Sequence, residues 1–444
     1  MGAILVTGGR VVDPASGYDG VADVALLDGR VAAIGKRLAK SAAEVVIDAS
    51  GCVVAPGLVD PHVHLREPGA EHKETLASGS RAAVAGGFTS VCCMPNTSPA
   101  LDTPDNLRFV IDRAAASAVC RVFPVAAATL GRKGEEIVEV GLLARAGAVG
   151  FSDDGDCVAS AGMMARVLRE VARTGLAFMQ HCQEPTLTRG AVMHSGAVAT
   201  RLGLTGWPRV AEEMVIERDI RLNREIGCRY HVQHVSSAGS VALVRAARGA
   251  GQPVSAEASP HHLHLTHEAC DGYATAAKVN PPLREAGDVA ALREGVADGT
   301  ITVLATDHAP HSADEKNLPM EEAPFGLVGL ESALALYAEA LVETGAIEWS
   351  RLVALLTIEP ARLCGLDASG IGTLRVGGPA DVTVIDPDAR WTLTRETLAG
   401  ASWNTPFLGR RLRGRAAVTI VGGEVVWAND GARVKVKKAA GGRR

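Results

Sequence analysis

The chain has 444 residues, is 47% hydrophobic and 21% charged, and carries a formal net charge of −5. That length exceeds an ordinary single domain unless one large α/β barrel takes most of it. The balance argues against a nucleic-acid partner, and no uninterrupted apolar run approaches the roughly 20 residues of a membrane helix.

The opening "MGAILVTGGRVVDP" lacks the basic flank and long apolar run of a signal peptide, so a cytoplasmic protein is expected. Residues 1–55 read as short strands broken by Gly and Asp turns: "AILVTGGRVVDP", "VADVALLDGRVAAIG" and "AEVVIDASGCVVAPG". Over 56–365 the texture changes to short apolar runs alternating with Ala/Arg/Glu-rich helical stretches, the signal of parallel strands with crossover helices. Eight runs can be counted, at 58–65, 89–94, 121–127, 148–151, 177–180, 229–235, 254–258 and 301–305. Eight strand–helix units predict an α/β fold of the (β/α)8 TIM-barrel type. An open doubly wound sheet fits less well, because no GxGxxG follows the first strand. Strand texture returns over 366–444, in "GTLRVGGPADVTVIDPDARWTL" and "GRAAVTIVGGEVVWAND", and the tail "KVKKAAGGRR" reads as a frayed terminus. The two β-rich ends are too short for separate sandwiches and are expected to pair into one small composite β-sandwich domain bracketing the barrel.

The nine cysteines form no CxxC pair, and most lie in apolar runs such as "TSVCCMPNT". Buried reduced thiols are expected, with neither a disulfide framework nor a thiolate zinc site.

Barrel chemistry sits at the carboxyl ends of the strands. Those ends read "HVHLRE", "MPNT", "FSDDGD", "QHCQE", "HVQHVSS" and "TDHAPH" on strands one, two, four, five, six and eight. His62 and His64 are two apart, so they share a face of a strand, and Arg66 shares it if the strand continues. With Asp154, His181, His234 and Asp307 they put six ligand-type residues on five strand ends. Imidazole and carboxylate without thiolate suit catalytic zinc or a similar divalent ion. His231 and His234 are three apart, so only one can point inward, and His234 lies nearer the strand end. Spacing does not separate Asp153 from Asp154. One of His308 and His311 is expected on the substrate. The cluster His261, His262, His264 and His267 is read as structural or as support for ligands.

At these residues the chain resembles the amidohydrolase superfamily, and closely the bacterial class I dihydroorotases. The matching stretches, in family order, are "DPHVHLREPG" with "KET", "GGFTSVCCMPNTSP", "FSDDG", "HCQE", "YHVQHVSS", "SPHHL", "KVNPPLR", "TDHAPHSADEK" and "APFGLVGLE". The resemblance implies that His62, His64 and Asp307 bind one metal and His181 and His234 a second, with Asp154 bridging; one or two Zn2+ per subunit follow. It implies substrate contacts from Arg66, Asn96, Asn280 and His311, from His64, and from the backbone around Phe325 and Gly326, with Asp307 as the acid–base group. The implied reaction is the reversible cyclisation of N-carbamoyl-L-aspartate to L-dihydroorotate. A homo-oligomer is implied, with aspartate transcarbamoylase as a candidate partner.

Two other readings remain: a hydantoinase or allantoinase on the same barrel, and a degenerate scaffold subunit of aspartate transcarbamoylase. The first group carries a carboxylated lysine after strand four, where this chain reads "GAVGFSDDGD"; the nearest upstream lysine is Lys133. The second should have lost ligands, and all six are present. After strand eight, "HAPHSADEKNLPMEEAPFG" has three prolines and little apolar periodicity. It is expected to be a long mobile loop closing over the site as a lid.

Overall fold

The computed structural model describes residues 2–39, 43–430 and 433–438. Alternating burial builds the first strands: β1 (Ile4–Asp13), β2 (Tyr18–Leu27), β3 (Arg30–Gly35), β4 (Val45–Asp48) and β5 (Val53–Pro56). In β2, Val24 and Leu26 turn into a core while Val21 and Leu27 face outward, the period-2 pattern of a half-buried sheet. These strands join four from the other end of the chain in one nine-stranded sheet: β15 (Val382–Thr392), β16 (Arg411–Val421), β17 (Glu424–Ala428) and β18 (Lys435–Lys438). The seam is β5, parallel to β1 and antiparallel to β15. Residues 435–438 are thus not a frayed end but a strand paired with β4; 439–444 lie outside the described residues.

Between these segments the chain forms the barrel. Three parallel strands, β6 (Leu58–Val63), β7 (Phe88–Cys93) and β8 (Arg121–Pro124), make one arc. Four more, β9 (Ala177–Gln180), β12 (Arg229–Val232), β13 (Val254–Ala258) and β14 (Val303–Leu304), make the other. A short parallel pair outside the arcs, β10 (Met193–His194) with β11 (Gly206–Trp207), lies in the excursion after β9.

The arcs close through single residues. The run at 148–151 is not a full strand. Phe151 alone bridges Ala126 on one side and Phe178 on the other, with the Phe151 amide donating to the Ala177 carbonyl at 3.0 Å. Gly147, at φ 110°, ends the helix before it, and the chain turns away directly after Phe151. The eighth strand is equally short, and His308 completes the ring by bridging Val63. The fold is a TIM barrel with a β-sandwich domain composed from both chain ends. Gly87, at φ 93°, marks their contact: a Cβ there would stand 2.8 Å from the Thr383 methyl and 2.9 Å from Ala416.

All nine cysteines are free, and eight are buried. Among the described residues, no helix is long and apolar enough to cross a membrane.

Phe151 is fully buried at the centre of the fourth position of the ring. Phe151→Ala should cost about 3–5 kcal/mol through lost packing and the cavity left behind. A lowered urea midpoint checks this; an unchanged midpoint would mean that the barrel does not depend on this bridge.

Candidate active site

His62 lies within β6, but His64, Asp154, His181, His234 and Asp307 follow the last residue of their strand or bridge, and the turn there aims the side chain. β6 stops at Val63, so Arg66 does not continue the His62/His64 face as strand alternation suggested. It reaches the same place by another route, with a left-handed φ of 60°. His234 at φ 29° and Asp307 at φ 50° share this feature. Such backbone costs a non-glycine residue about 1–3 kcal/mol and persists only where its surroundings enforce it. Some of that enforcement is visible around strand one. The Asp60 carboxylate accepts from the amides of His62 at 3.0 Å and Thr306 at 3.2 Å, and the His64 amide donates to the His308 carbonyl at 2.8 Å.

The six ligand-type side chains converge. Asp154 Oδ2 lies 3.5 Å from His62 Nε2 and 3.4 Å from His64 Nε2. Its Oδ1 lies 3.5 Å from both His181 Nδ1 and His234 Nε2. Asp307 Oδ1 stands 3.2 Å from His64 Nε2 and 3.6 Å from His62 Nε2. The result is two ligand groups sharing one carboxylate, His62–His64–Asp154 and Asp154–His181–His234, each buried.

Outer hydrogen bonds set the tautomers. His62 Nδ1–H donates to Glu257 at 2.6 Å, and His64 Nδ1–H to Asn96 Oδ1 at 2.8 Å. His181 Nε2–H donates to Gln183 Oε1 at 2.9 Å. These three rings therefore turn their other nitrogen inward, where it can ligate a metal on losing its proton. His62 Nε2 and Asp154 Oδ1 are buried without any hydrogen-bond partner, and His181 Nδ1 and His234 Nε2 face each other at 2.9 Å. Buried polar atoms without partners are costly; two divalent cations would satisfy them all. The donor set fits the metals that the sequence suggested.

The electrostatics match. Burial opposes charge on Asp154, yet His62, His181 and His234 hold its carboxyl well below the usual range. Burial opposes Asp307 too, and His64 and His62 bring it down to about 2. Burial also works against a cationic His62, but Asp154 and Glu257 carry it well above the ordinary histidine value.

A cavity of about 320 Å³ opens beside these ligands, small for a ligand pocket. It is lined by His64, Arg66, Asn96, Asn280, His311, Phe325 and Gly326, the residues that the resemblance put on the substrate. A larger groove, about 1040 Å³, runs along the composite sheet beside Lys36 and Lys435, but none of the ligand groups is there. Arg66 uses Nε on the Pro310 carbonyl at 3.1 Å and makes no ion pair among the described residues.

Several residues take roles that spacing left open. Asp153 points away and accepts from the Ala128 and Thr129 amides at 2.9 and 3.0 Å. His231 is also turned inward, contrary to the one-inward expectation: its Nε2–H donates to Glu257 Oε2 at 3.0 Å. β12 ends at Val232, so alternation does not extend to His234. His308 is structural, its Nδ1 accepting from the Gly329 amide at 3.2 Å. Of the histidine cluster none ligates; His262 donates to the Pro281 carbonyl at 2.9 Å, beside Asn280, and His264 to Leu336 at 2.7 Å.

Two residues of the site were missed. Glu257 is fully buried and gathers His62, His231 and the His234 amide; an acid inside the apolar run 254–258 was the available signal. Gln183 accepts from His181 and Asn280 and donates to Thr188 at 2.8 Å. The expected lid is a tied segment rather than an open loop. It contains the helix Ala313–Lys316, capped by Ser312, and buried side chains hold it at both ends.

Comparisons with known proteins agree with this geometry. A family model described as Dihydro-orotase-like matches residues 51–240. Proteins named dihydroorotase from Pelotomaculum thermopropionicum and Anaeromyxobacter dehalogenans are each 50% identical, covering 95% of this chain and 98% and 97% of theirs. Among solved structures, the L-hydantoinase (dihydropyrimidinase) of Arthrobacter aurescens superposes with a TM-score of 0.86 at 27% identity over 96% of each chain.

Glu257→Gln keeps the size of the side chain but removes the charge that orients His62. Loss of such a partner typically weakens metal affinity about 10–100-fold. Competition with a graded chelator series measures it, and wild-type affinity would remove Glu257 from the metal site.

Proposed function

The chain belongs to the dihydroorotase family of metal-dependent amidohydrolases, and from that premise we propose that its barrel cavity closes N-carbamoyl-L-aspartate to L-dihydroorotate and reopens it. This is the ring-forming step of pyrimidine synthesis. The observation that carries the assignment is Arg66, a guanidinium without an ion-pair partner among the described residues, beside a cluster of metal-type ligands. A substrate with a carboxylate that does not react supplies the missing partner. Hydantoinases share the fold, but their named members here are about half as identical as the dihydroorotases. The position after strand four is also an aspartate rather than a lysine.

His62, His64 and Asp307 would hold one metal and His181 and His234 a second, with Asp154 shared between the two groups. The ions are taken to be one or two Zn2+ per subunit, since imidazole and carboxylate donors suit that ion. When bound, the metal supplies Lewis acidity that polarises the ring carbonyl and lowers the pKa of water toward roughly 7.

The protein's own groups do the rest. Arg66 grips the inert carboxylate through a planar fork of donors, Asn96 offers further hydrogen bonds to it, and His311, its Nε2–H held by the Phe325 carbonyl, lines the same edge. Asn280 and the backbone at Phe325 and Gly326 also line the cavity. In ring opening, water adds to the ring carbonyl carbon, and the Asp307 carboxylate takes a proton from it. The bond from that carbon to the ring nitrogen then breaks, and Asp307 returns the proton to the nitrogen, which leaves as the ureido NH2. Ring closing runs the same steps backward.

We also infer a division into 1–55, 56–365 and 366–444, the outer two forming one unit around the barrel, in line with the β5–β15 seam. A cytoplasmic homo-oligomer, with aspartate transcarbamoylase as a candidate partner, completes the reading.

Metal-stripped protein should lose turnover of dihydroorotate and regain it with zinc; full activity without metal overturns the assignment. Asp307→Asn should cut kcat by about 10²-fold or more, and a loss under tenfold at normal metal content would move the proton to another group. Arg66→Gln leaves the substrate carboxylate unpaired in a dry cavity. That loss is worth about 2–5 kcal/mol, thirtyfold or more in kcat/KM; unchanged kcat/KM would place the carboxylate elsewhere.

A further inference from the structure

Two buried lysines outside the ligand cluster have no carboxylate partner among the described residues, and both hold the segment after strand eight. Lys278 Nζ donates to the carbonyls of Met320 at 2.6 Å and Glu321 at 3.3 Å, and lies 4.5 Å above the Phe325 ring. Lys316, from the short helix Ala313–Lys316, donates to the carbonyls of Pro324 at 2.8 Å, Gly326 at 3.0 Å and Lys278 at 3.4 Å. Three carbonyl oxygens converging on one ammonium use all of its protons.

The segment held in this way is the wall of the cavity. Residues 324–326 line it, and the Gly326 amide donates to the Lys278 carbonyl at 2.9 Å. The Phe325 carbonyl accepts from His311 Nε2 at 2.7 Å. Gly326 sits at φ 128°, where a Cβ would meet Ala309 at 2.7 Å and His311 Nε2 at 3.2 Å, so the fit leaves little room for drift.

We propose that Lys316 is a positioning residue for this reaction: its buried ammonium sets the backbone of residues 324–326 and, through the Phe325 carbonyl, the His311 ring. It touches neither the ligand cluster nor the cavity, so it acts through the wall alone. The inference rests on the reading of Arg66 and His311 as the carboxylate-binding edge.

Burial pushes the Lys316 ammonium down to about 7, with Lys278 adding to the fall and Cys270 and Glu315 opposing it. Those three and His311, which burial and nearby cations including Lys316 push down to about 2, are the titratable groups that face it. A lysine depressed in this way is charged below about 7 and neutral above. Raising the pH removes one of its three donors, and the wall loosens.

The test is steady-state turnover of L-dihydroorotate by the metal-loaded full chain at several pH values. Lys316→Gln should raise KM about tenfold while kcat falls less than about threefold, the signature of lost binding rather than lost chemistry. Wild-type KM should climb between about pH 6.5 and 8.5, and that climb should vanish in Lys316→Gln. Should Lys316→Gln fail to fold, judged by its melting curve, the wild-type profile decides: a rising KM supports the role and a flat one overturns it. Wild-type KM in Lys316→Gln, or an undiminished pH climb in that variant, also overturns it. If wild-type protein does not turn over dihydroorotate at all, the functional reading fails and this one falls with it. Failure in the variant alone leaves the functional reading standing.

Discussion

Asp154 brings one buried carboxylate within 3.4–3.5 Å of four imidazole nitrogens drawn from three strands. A buried charge without compensation costs several kcal/mol even after relaxation, so the whole open end of the barrel is arranged around it. Glu257, Asn96 and Gln183 take the outer protons of His62, His64 and His181, so the other nitrogens of these rings face it. Bound cations would complete the charge balance. An aspartate does this without modification, because it is already an anion.

The barrel supplies this convergence from short strands. Its fourth and eighth members are reduced to Phe151 and to β14 with His308. Residues beyond the strand ends turn sharply inward, and Arg66 after strand one, His234 after strand six and Asp307 after strand eight do so with left-handed backbone. Strain of this kind is stable only on a rigid frame, which the buried strand ends and the hydrogen bond from the Thr306 amide to the Asp60 carboxylate provide.

The substrate wall is held from outside the barrel as well. Asn404, in the C-terminal segment, accepts from the His311 amide at 3.0 Å and donates to the carbonyls of Ala309 at 3.2 Å and Gly326 at 3.1 Å. The chain's last portion therefore serves the site in addition to completing the β domain. Buried amide and ammonium groups replace the mobility expected from prolines and charge. The segment is irregular because its carbonyls serve Lys278, Lys316 and Asn404 rather than a ladder.

The order of apolar runs and the polar residues after them foretold the barrel and the end of it where the six candidate ligands gather, because strand ends are local in sequence and chemistry there needs particular side chains. Repeated β texture at both ends likewise foretold a shared sheet. What periodicity could not decide was everything beyond a strand's last residue, where the period of two no longer applies. The choice of Asp154 over Asp153, the inward turn of both His231 and His234, and the route of Arg66 all belong there. Glu257, Gln183 and Asn404 were settled only by folding, since their partners lie between two and 195 residues away and a hydrogen bond over such distances leaves no local pattern in the chain. Lys316 carries no signal in the sequence, and only the three-dimensional path of its neighbours' carbonyls makes it a buried tie.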